Sequence, residues 1–214
     1  MRRKFDIELD ELNNELIKMG SMCEEAITAA VNSIKSSDTK LVERAKEIES
    51  MLDHKEKEIE SLCLKLLLQQ QPVARDLRSI SSALKMITDM ERIGDQARDI
   101  AEIGSYLDLS EYDNYDDYSK MTKEVIKMVT LSIDAFVRRD VELARAVINN
   151  DDVVDELFIN LRKEAIEIIS TNKLEAEKCL DLVMIAKYLE RIGDHATNIA
   201  EWVEFSILGE HKEN

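Results

Sequence analysis

A twelve-residue segment occurs twice in this chain of 214 residues, at positions 91–102 and 190–201. The copies read ERIGDQARDIAE and ERIGDHATNIAE, and they are identical at nine of twelve positions, 99 residues apart. A fainter repeat relates residues 38–53 to residues 140–155, which lie 102 positions later. Self-similarity of this kind is typical of a duplicated structural unit. We therefore expect two similar halves.

Apolar residues recur at helical spacing along nearly the whole chain. One proline and five glycines are too few turn residues for a β-sandwich or β-barrel. Breaks in the pattern predict six helices that end near residues 37, 71, 107, 138, 170 and 208. Asp38 and Asp140 are placed to cap the second and fifth helices, and Gly209 follows the last one.

An acidic, tyrosine-containing stretch separates the third and fourth helical segments and lacks their periodicity. Such a stretch predicts a linker. Because three helices precede it and three follow it, we expect an all-α fold of two tandem three-helix bundles. The predicted bundles cover residues 1–108 and 119–214, and the predicted linker covers residues 109–118.

The net negative charge limits the kinds of partner that the protein can bind. With 45 acidic and 29 basic side chains, the formal net charge is −16, which repels a nucleic-acid backbone and favours a cationic partner or a metal. No apolar run is long enough for a membrane span, and the first residues contain no apolar signal core. We expect a soluble, cytoplasmic protein in which Cys23, Cys63 and Cys179 are reduced core residues.

The repeated segments place acidic side chains along one side of each helix. On a helical wheel with about 100° per residue, the acidic stripe of the second copy spans roughly 80°, and apolar residues fill the neighbouring arc. That arc, which includes Leu189 and Ile192, is the predicted core. The stripes consist of Glu91, Asp95, Asp99 and Glu102 in the first copy and of Glu190, Asp194, Asn198 and Glu201 in the second.

Two further acidic pairs, Glu49 with Asp53 and Asp151 with Asp155, lie four residues apart on the second and fifth predicted helices. Carboxylates from neighbouring helices suit a hard or borderline cation. With 45 acidic residues, such pairs also arise by chance on solvated faces, so a helical scaffold without a metal is the alternative.

The glycines of the two copies, Gly94 and Gly193, would let a neighbouring backbone or a ligand approach closely. The chain has no glycine-rich phosphate loop, no nucleophile elbow and no Cys-x-x-Cys motif, so we do not expect an enzyme. A carboxylate-bridged metalloenzyme or metal store is the second functional hypothesis that the acidic stripes allow.

The chain resembles the PhoU family over essentially its whole length. The two Glu-Arg-Ile-Gly-Asp segments carry the resemblance. Supporting it are Met19-Gly20, Gln71-Pro72 followed by Asp76-Leu77-Arg78, and Asn198-Ile199-Ala200-Glu201. The resemblance implies two three-helix bundles related by pseudo-twofold symmetry.

The resemblance also implies metal sites built from acid-x-x-x-Asp motifs. It implies a divalent or trivalent metal ion, iron first, with zinc, manganese or magnesium as the other candidates. Because Asn198 stands where the first half has Asp99, we expect the second site to bind metal more weakly. The implied ligand motifs are Glu49/Asp53, Glu91/Asp95, Asp151/Asp155 and Glu190/Asp194, with Asp99, Glu102, Asn198 and Glu201 as further ligands or supporting groups.

The function that the resemblance implies is negative regulation of the phosphate-starvation response. The implied partners are a phosphate ABC transporter, contacted at its ATPase subunit, and a sensor histidine kinase. We expect a homodimer that associates with membrane complexes but has no transmembrane segment, no nucleic-acid partner and no catalytic residues.

Overall fold

The computed structural model of the protein consists of long helices. It describes residues 2–36, 38–69, 73–107, 115–171 and 176–210, and these ranges contain no β-strand. The predicted all-α fold is confirmed. The helices are α1 (Arg2–Ser36), α2 (Thr39–Gln69), α3 (Ala74–Gly104), α4 (Tyr115–Arg138), α5 (Val141–Thr171) and α6 (Ala176–Leu208).

The six helices form two three-helix bundles. Helices α1, α2 and α3 pack against one another, and so do α4, α5 and α6. The bundles meet through α3 against α6 and through α1 against α4. Since α3 corresponds to α6 and α1 to α4 in the repeat, equivalent helices face each other across the junction. This arrangement is the pseudo-twofold pair of bundles that the family resemblance implies.

The predicted apolar arcs form the core. Every member of the two arcs is buried: Met86, Met90, Ile93, Ala97 and Ile100 on α3, and Leu182, Ile185, Leu189, Ile192, Ala196, Ala200 and Val203 on α6. Cys23, Cys63 and Cys179 are free thiols inside this core, as predicted. Burial raises the pKa of the Cys63 thiol to about 12, so that thiol stays protonated and packs as a small apolar group.

The predicted linker is wrong at its C-terminal end, because α4 begins at Tyr115 rather than at Ser119. Tyr118 is buried and continues the apolar stripe of Met121 and Val125 at helical spacing. Asp117 lies in the first turn, where a negative charge stabilises a helix. Because the stretch is acidic, its composition indicates a linker and not the first turn of a helix. Residues 108–114 lie outside the described residues.

The third helix ends at Gly104, three residues before the predicted end near Leu107. The Ser105 hydroxyl donates to the backbone oxygen of Glu102 at 2.7 Å, which competes with helical backbone bonding. The predicted break at Gln71 and Pro72 lies outside the described residues, and so do residues 172–175, which follow the predicted end of the fifth helix near residue 170. None of the described helices is long and apolar enough to cross a lipid bilayer.

The turn between α4 and α5 combines a helix stop with a helix cap. Arg139 has a φ of 55°, and the backbone N–H of Asp140 donates to the oxygen of Ala135 at 2.9 Å, which closes the C-terminus of α4. Oδ1 of Asp140 then accepts from the backbone N–H groups of Glu142 at 2.9 Å and Leu143 at 3.1 Å. The predicted cap of the fifth helix is confirmed.

Removing this cap should destabilise the second bundle. We expect Asp140→Ala to lower the free energy of unfolding by about 1 kcal/mol, because two backbone N–H groups of the first turn lose their acceptor. Urea denaturation followed by circular dichroism measures the change. Asp140→Asn, which retains an acceptor oxygen, is the matched control and should stay close to wild type. Equal losses in both variants would contradict the capping role.

Candidate metal centre

The two glycines of the repeated segments allow close helix packing. A Cβ atom on Gly94 would lie 2.6 Å from Cδ1 of Leu52 on α2, and one on Gly193 would lie 3.3 Å from Cγ1 of Val154 on α5. Leu52 and Val154 are equivalent positions of the fainter repeat. The nearest protein neighbour in each half is therefore a core side chain of the middle helix. This contact brings the acidic pairs of adjacent helices together.

The first acidic cluster lies between α2 and α3. It comprises Glu49 and Asp53 on α2 and Glu91, Asp95, Asp99 and Glu102 on α3. Partial burial raises the pKa of Glu91, and the nearby carboxylate of Asp95 raises it further. The structure thus brings together the acidic pairs that the sequence predicted from separate helices.

A guanidinium group sits among these carboxylates. Nη1 of Arg98 donates to Glu49 at 2.7 Å and to Asp95 at 3.3 Å, and Nη2 donates to Asp99 at 3.1 Å. Nη1 therefore bridges α3 to α2, Nη2 stays on α3, and the guanidinium offsets negative charge within the cluster. Arg98 lies inside the repeated segment, but the pattern that predicts the site is defined by acidic residues and therefore does not include it.

Further cationic side chains pair with acids at the edge of the first acidic cluster. Nζ of Lys57 lies 2.8 Å from Asp53, and Nη1 of Arg92 lies 3.1 Å from Asp95. Glu102 stands apart on the exposed side, where the nearest cation is Nζ of Lys46 at 3.9 Å. The first acidic cluster is consequently rich in internal ion pairs.

The second acidic cluster occupies the equivalent place between α5 and α6. It comprises Asp151 and Asp155 on α5 and Glu190, Asp194 and Glu201 on α6, with Asn198 beside them on the sequence stripe. The position that corresponds to Arg98 is Thr197, whose hydroxyl donates to Oδ1 of Asp151 at 3.1 Å. The guanidinium of the first half is thus replaced by a neutral group.

Cationic partners are scarce in the second acidic cluster. Lys187 pairs with Glu190 at the edge. Among the residues that the structure describes, neither Asp155 nor Asp194 forms an ion pair with a lysine or arginine. Glu201 is half-buried and makes no hydrogen bond or ion pair within the same ranges.

Burial and neighbouring carboxylates raise the pKa values of two acids of the second acidic cluster, Asp151 and Asp194. Burial raises the pKa of Asp151, and Asp155 and Glu190 add to this effect, while the hydrogen bond from Thr197 opposes it. Asp194 is exposed as a whole, yet crowding of its carboxyl group by protein atoms raises its pKa, with Glu190 and Asp151 contributing. The charged forms of Asp151 and Asp194 are therefore less favourable in the fold than in water, although Lys187 partly offsets this effect at Asp194.

This repulsion has a measurable consequence for stability. Because the folded-state pKa of Asp151 lies above its value in the unfolded chain, the folded state binds more protons between the two values, and stability falls as pH rises through that window. In chelated protein, Asp151→Asn should therefore raise the free energy of unfolding by about 0.5–1 kcal/mol at neutral pH. Urea denaturation at pH 7.5 and pH 4 measures the difference.

The gain from Asp151→Asn should vanish at the lower pH, where the wild-type carboxyl group approaches protonation. The asparagine oxygen still accepts the hydrogen bond from Thr197, so the variant tests charge rather than packing. Asp152→Asn, at the exposed neighbouring position, is the control: the charge of Asp152 also raises the pKa of Asp151, but less than burial does, so this variant should raise stability less. A less stable Asp151→Asn variant at pH 7.5 would show that the charged form is favourable in the fold.

Asn198 and His195 point toward the other bundle. Nδ1 of His195 lies 2.9 Å from Oδ1 of Asp89 on α3, and Nδ2 of Asn198 donates to the same oxygen at 3.1 Å. No sequence pattern indicates Asp89, because this residue lies outside the repeated segment and its contact joins the two halves. Asn198 therefore acts at the junction between bundles.

Within the described ranges, no three His, Cys, Asp or Glu side chains are arranged as a preformed metal site. The carboxylate oxygens of the second acidic cluster nevertheless suit a hard or borderline cation, since they come from two adjacent helices and have few cationic partners. The first acidic cluster suits one poorly, because the guanidinium of Arg98 already occupies its centre.

Comparison with known proteins agrees with this architecture. The family model described as the PhoU domain matches residues 16–104 and again residues 118–203. The two matches correspond to the two bundles. A phosphate-specific transport system accessory protein PhoU homolog from Clostridium acetobutylicum is 36% identical over 97% of this chain and 96% of its own length. The homolog from Pseudomonas aeruginosa is 32% identical over 97% of this chain and 86% of its own length.

Solved structures show the same fold. The crystal structure of PhoU from Pseudomonas aeruginosa has a TM-score of 0.89 and 33% identity, and the match covers 96% of this chain and all of that one. The phosphate transport system regulatory protein PhoU from Streptococcus pneumoniae also has a TM-score of 0.89, with 25% identity, over 98% of this chain and all of that one. The repeated segments, the paired bundles and these matches together show that the chain belongs to the PhoU family.

Proposed function

We propose that this protein is an accessory regulator of phosphate transport that represses the phosphate-starvation response when phosphate is plentiful. The observation that carries the proposal is the match of nearly the entire chain, in both halves, to proteins named as accessory or regulatory components of phosphate transport. The proposed protein acts by binding rather than by catalysis, in keeping with the absence of a catalytic motif from the sequence.

The proposed partners are the ATPase subunit of a phosphate ABC transporter and a sensor histidine kinase. The relatives are named for a transport system, which supports the first of these. A net charge of −16 favours docking on basic partner surfaces and makes such association dependent on salt. We further propose that the protein acts as a homodimer on the cytoplasmic side of the membrane.

The proposed metal ligands are the acidic pairs of the second acidic cluster, Asp151 and Asp155 from α5 and Glu190 and Asp194 from α6. Iron is the first candidate, followed by zinc, manganese and magnesium, because carboxylate oxygen donors accept all of them. When bound, the ion supplies the positive charge that this cluster lacks. Asp151 and Asp194, whose pKa values are raised without it, would then stay ionised and connect the two helices.

Deletion of the gene tests the regulatory role. We expect the deletion strain to express phosphate-starvation genes in phosphate-rich medium, because the repressing contact is lost. A reporter fused to a phosphate-responsive promoter, together with phosphate uptake, measures the effect. Complementation with the wild-type gene should restore repression. Unchanged expression and uptake in the deletion strain would contradict the proposal, and steady turnover of oxygen or phosphate esters by metal-loaded protein would favour a metalloenzyme.

A further inference from the structure

A pocket of about 510 Å³ lies where the first turn of α3 meets the turn between α4 and α5. Its wall includes Arg75 of α3 and Arg139 of the turn. Arg78 packs its guanidinium against the end of α6, where a Cβ atom on Gly209 would lie 3.4 Å from Cζ of Arg78. Three guanidinium groups that act on one another therefore gather at one end of a chain whose net charge is −16.

These three arginines have few partners among the described residues. Within those ranges, Arg75 and Arg78 form no ion pair or hydrogen bond, and Nε of Arg78 is buried without an acceptor. The hydrogen bond of Arg139 is a long one, from Nη2 to the backbone oxygen of Ser206 at 3.5 Å. Since guanidinium N–H groups that lack acceptors are unfavourable in a partly buried place, an anion that supplies acceptors would be stabilised here.

The charges in this group do not balance. Burial lowers the pKa of Arg139, and the charges of Arg75 and Arg78 lower it further, while the carboxylate of Asp76 opposes them. The three guanidinium groups carry three positive charges, and the carboxylate of Asp76 offsets one of them. Two positive charges remain around Arg139, which is the charge that a phosphate dianion balances.

The fold alone does not require arginine at these positions. Arg139 has a φ of 55°, a left-handed conformation that glycine or asparagine adopts at lower cost. The repeat provides an internal comparison, because Ser37 stands 102 residues before Arg139 and Glu177 stands 99 residues after Arg78. The other half of the duplicated fold therefore forms without arginine at the equivalent places.

We infer that this pocket binds the phosphate group of a small anionic ligand between Arg75 and Arg139. The planar guanidinium presents paired N–H donors that match two oxygens of a phosphate group. The first turn of α3 adds backbone N–H donors, because its N-cap residue, Val73, makes no side-chain hydrogen bond to them. The anion would lie beside α3 and the turn, away from Asp6 and Asp10, which line the pocket from α1.

Calorimetric titration of the full chain with inorganic phosphate, at constant ionic strength, tests this site. We expect wild-type protein to bind one phosphate per chain. Arg139→Asn removes the charge and suits the left-handed backbone, and Arg75→Gln changes an exposed side chain. Each should weaken phosphate binding about tenfold or more, because a charged donor is lost. Circular dichroism checks that both variants stay helical.

Arg138→Gln is the matched control, because it removes the same charge from the adjacent residue. Arg138 is exposed and pairs with Asp134 at 2.8 Å. Phosphate binding by this variant should stay within about twofold of wild type, since the charge that is removed lies on the solvated surface. Equal weakening in Arg138→Gln and Arg139→Asn would overturn the inferred site, because a general loss of positive charge would then explain both.

A parallel titration with adenosine monophosphate distinguishes the sources of the phosphate group. Tighter binding of inorganic phosphate would identify the free ion as the ligand, and tighter binding of the nucleotide would identify a phosphate monoester. No saturable binding of either compound up to about 10 mM would overturn the inferred site. The regulatory role proposed above would survive that result, because deletion of the gene tests it separately.

Discussion

Replacement of Leu189 by alanine should lower the free energy of unfolding by about 2–5 kcal/mol, the range measured when large aliphatic side chains are removed from packed cores. Leu189 is completely buried on α6. It lines a small, mostly apolar void together with Val31 and Ile34 of α1 and Tyr118 of α4. Truncation would enlarge this void at the junction of the two bundles, and an enlarged cavity that does not collapse accounts for the upper part of the range.

Urea denaturation of chelated protein measures the effect of Leu189→Ala. The matched control is Leu180→Ala, on the same helix, where the leucine is 60% exposed and the expected change is within about 0.5 kcal/mol. Similar losses at the two positions would mean that the buried arc of α6 does not form the core. Because Leu189 lines this void together with residues of α1 and α4, its truncation should destabilise both bundles in one transition rather than the second bundle alone.

The second large effect is expected at Asp89, the carboxylate that joins the two bundles. We expect Asp89→Ala to cost about 1–3 kcal/mol, because the side chains of His195 and Asn198 both lose the oxygen they contact at 2.9 and 3.1 Å. Thermal and urea denaturation measure the loss. Asp89→Asn, which retains one acceptor oxygen, should lose less than Asp89→Ala, and Asp152→Ala at an exposed position should change little.

A negligible change in Asp89→Ala would mean that this contact between the bundles does not form in solution. Hydrogen exchange adds a second readout, since Asp89→Ala should loosen α3 and α6 near the contact while the outer helices α2 and α5 stay protected. This pattern distinguishes a local junction defect from general destabilisation.

Much of the fold can be predicted from the sequence, because the helical periodicity and the repeat both indicate two bundles of helices. The apolar arcs on the third and sixth helices are buried as predicted, and Asp140 caps the fifth helix as predicted. The sequence prediction places the start of α4 too late, because Tyr118 begins the apolar stripe of this helix but lies among acidic residues that are typical of a linker. The acidic composition of residues 109–118 masked the helical periodicity that begins at Tyr118.

The candidate site is readable only in part. The pairing of acids on neighbouring helices follows from the repeat, since equivalent motifs must occupy equivalent places. The role of Arg98 depends on which way a long side chain turns, which spacing along one helix does not determine. The contact of His195 and Asn198 with Asp89 depends on how the two bundles dock, and no pattern within one half contains that information.

The assignment of a cation to the second acidic cluster is tested most directly by the position of the ion itself. Crystals of the wild-type protein are soaked in Mn²⁺, and anomalous diffraction at the manganese edge locates the bound ion. The account predicts one strong peak between α5 and α6, coordinated by carboxylates from Asp151, Asp155, Glu190 and Asp194. A peak between α2 and α3 with Arg98 displaced from Glu49, or no peak in either cluster, would contradict it.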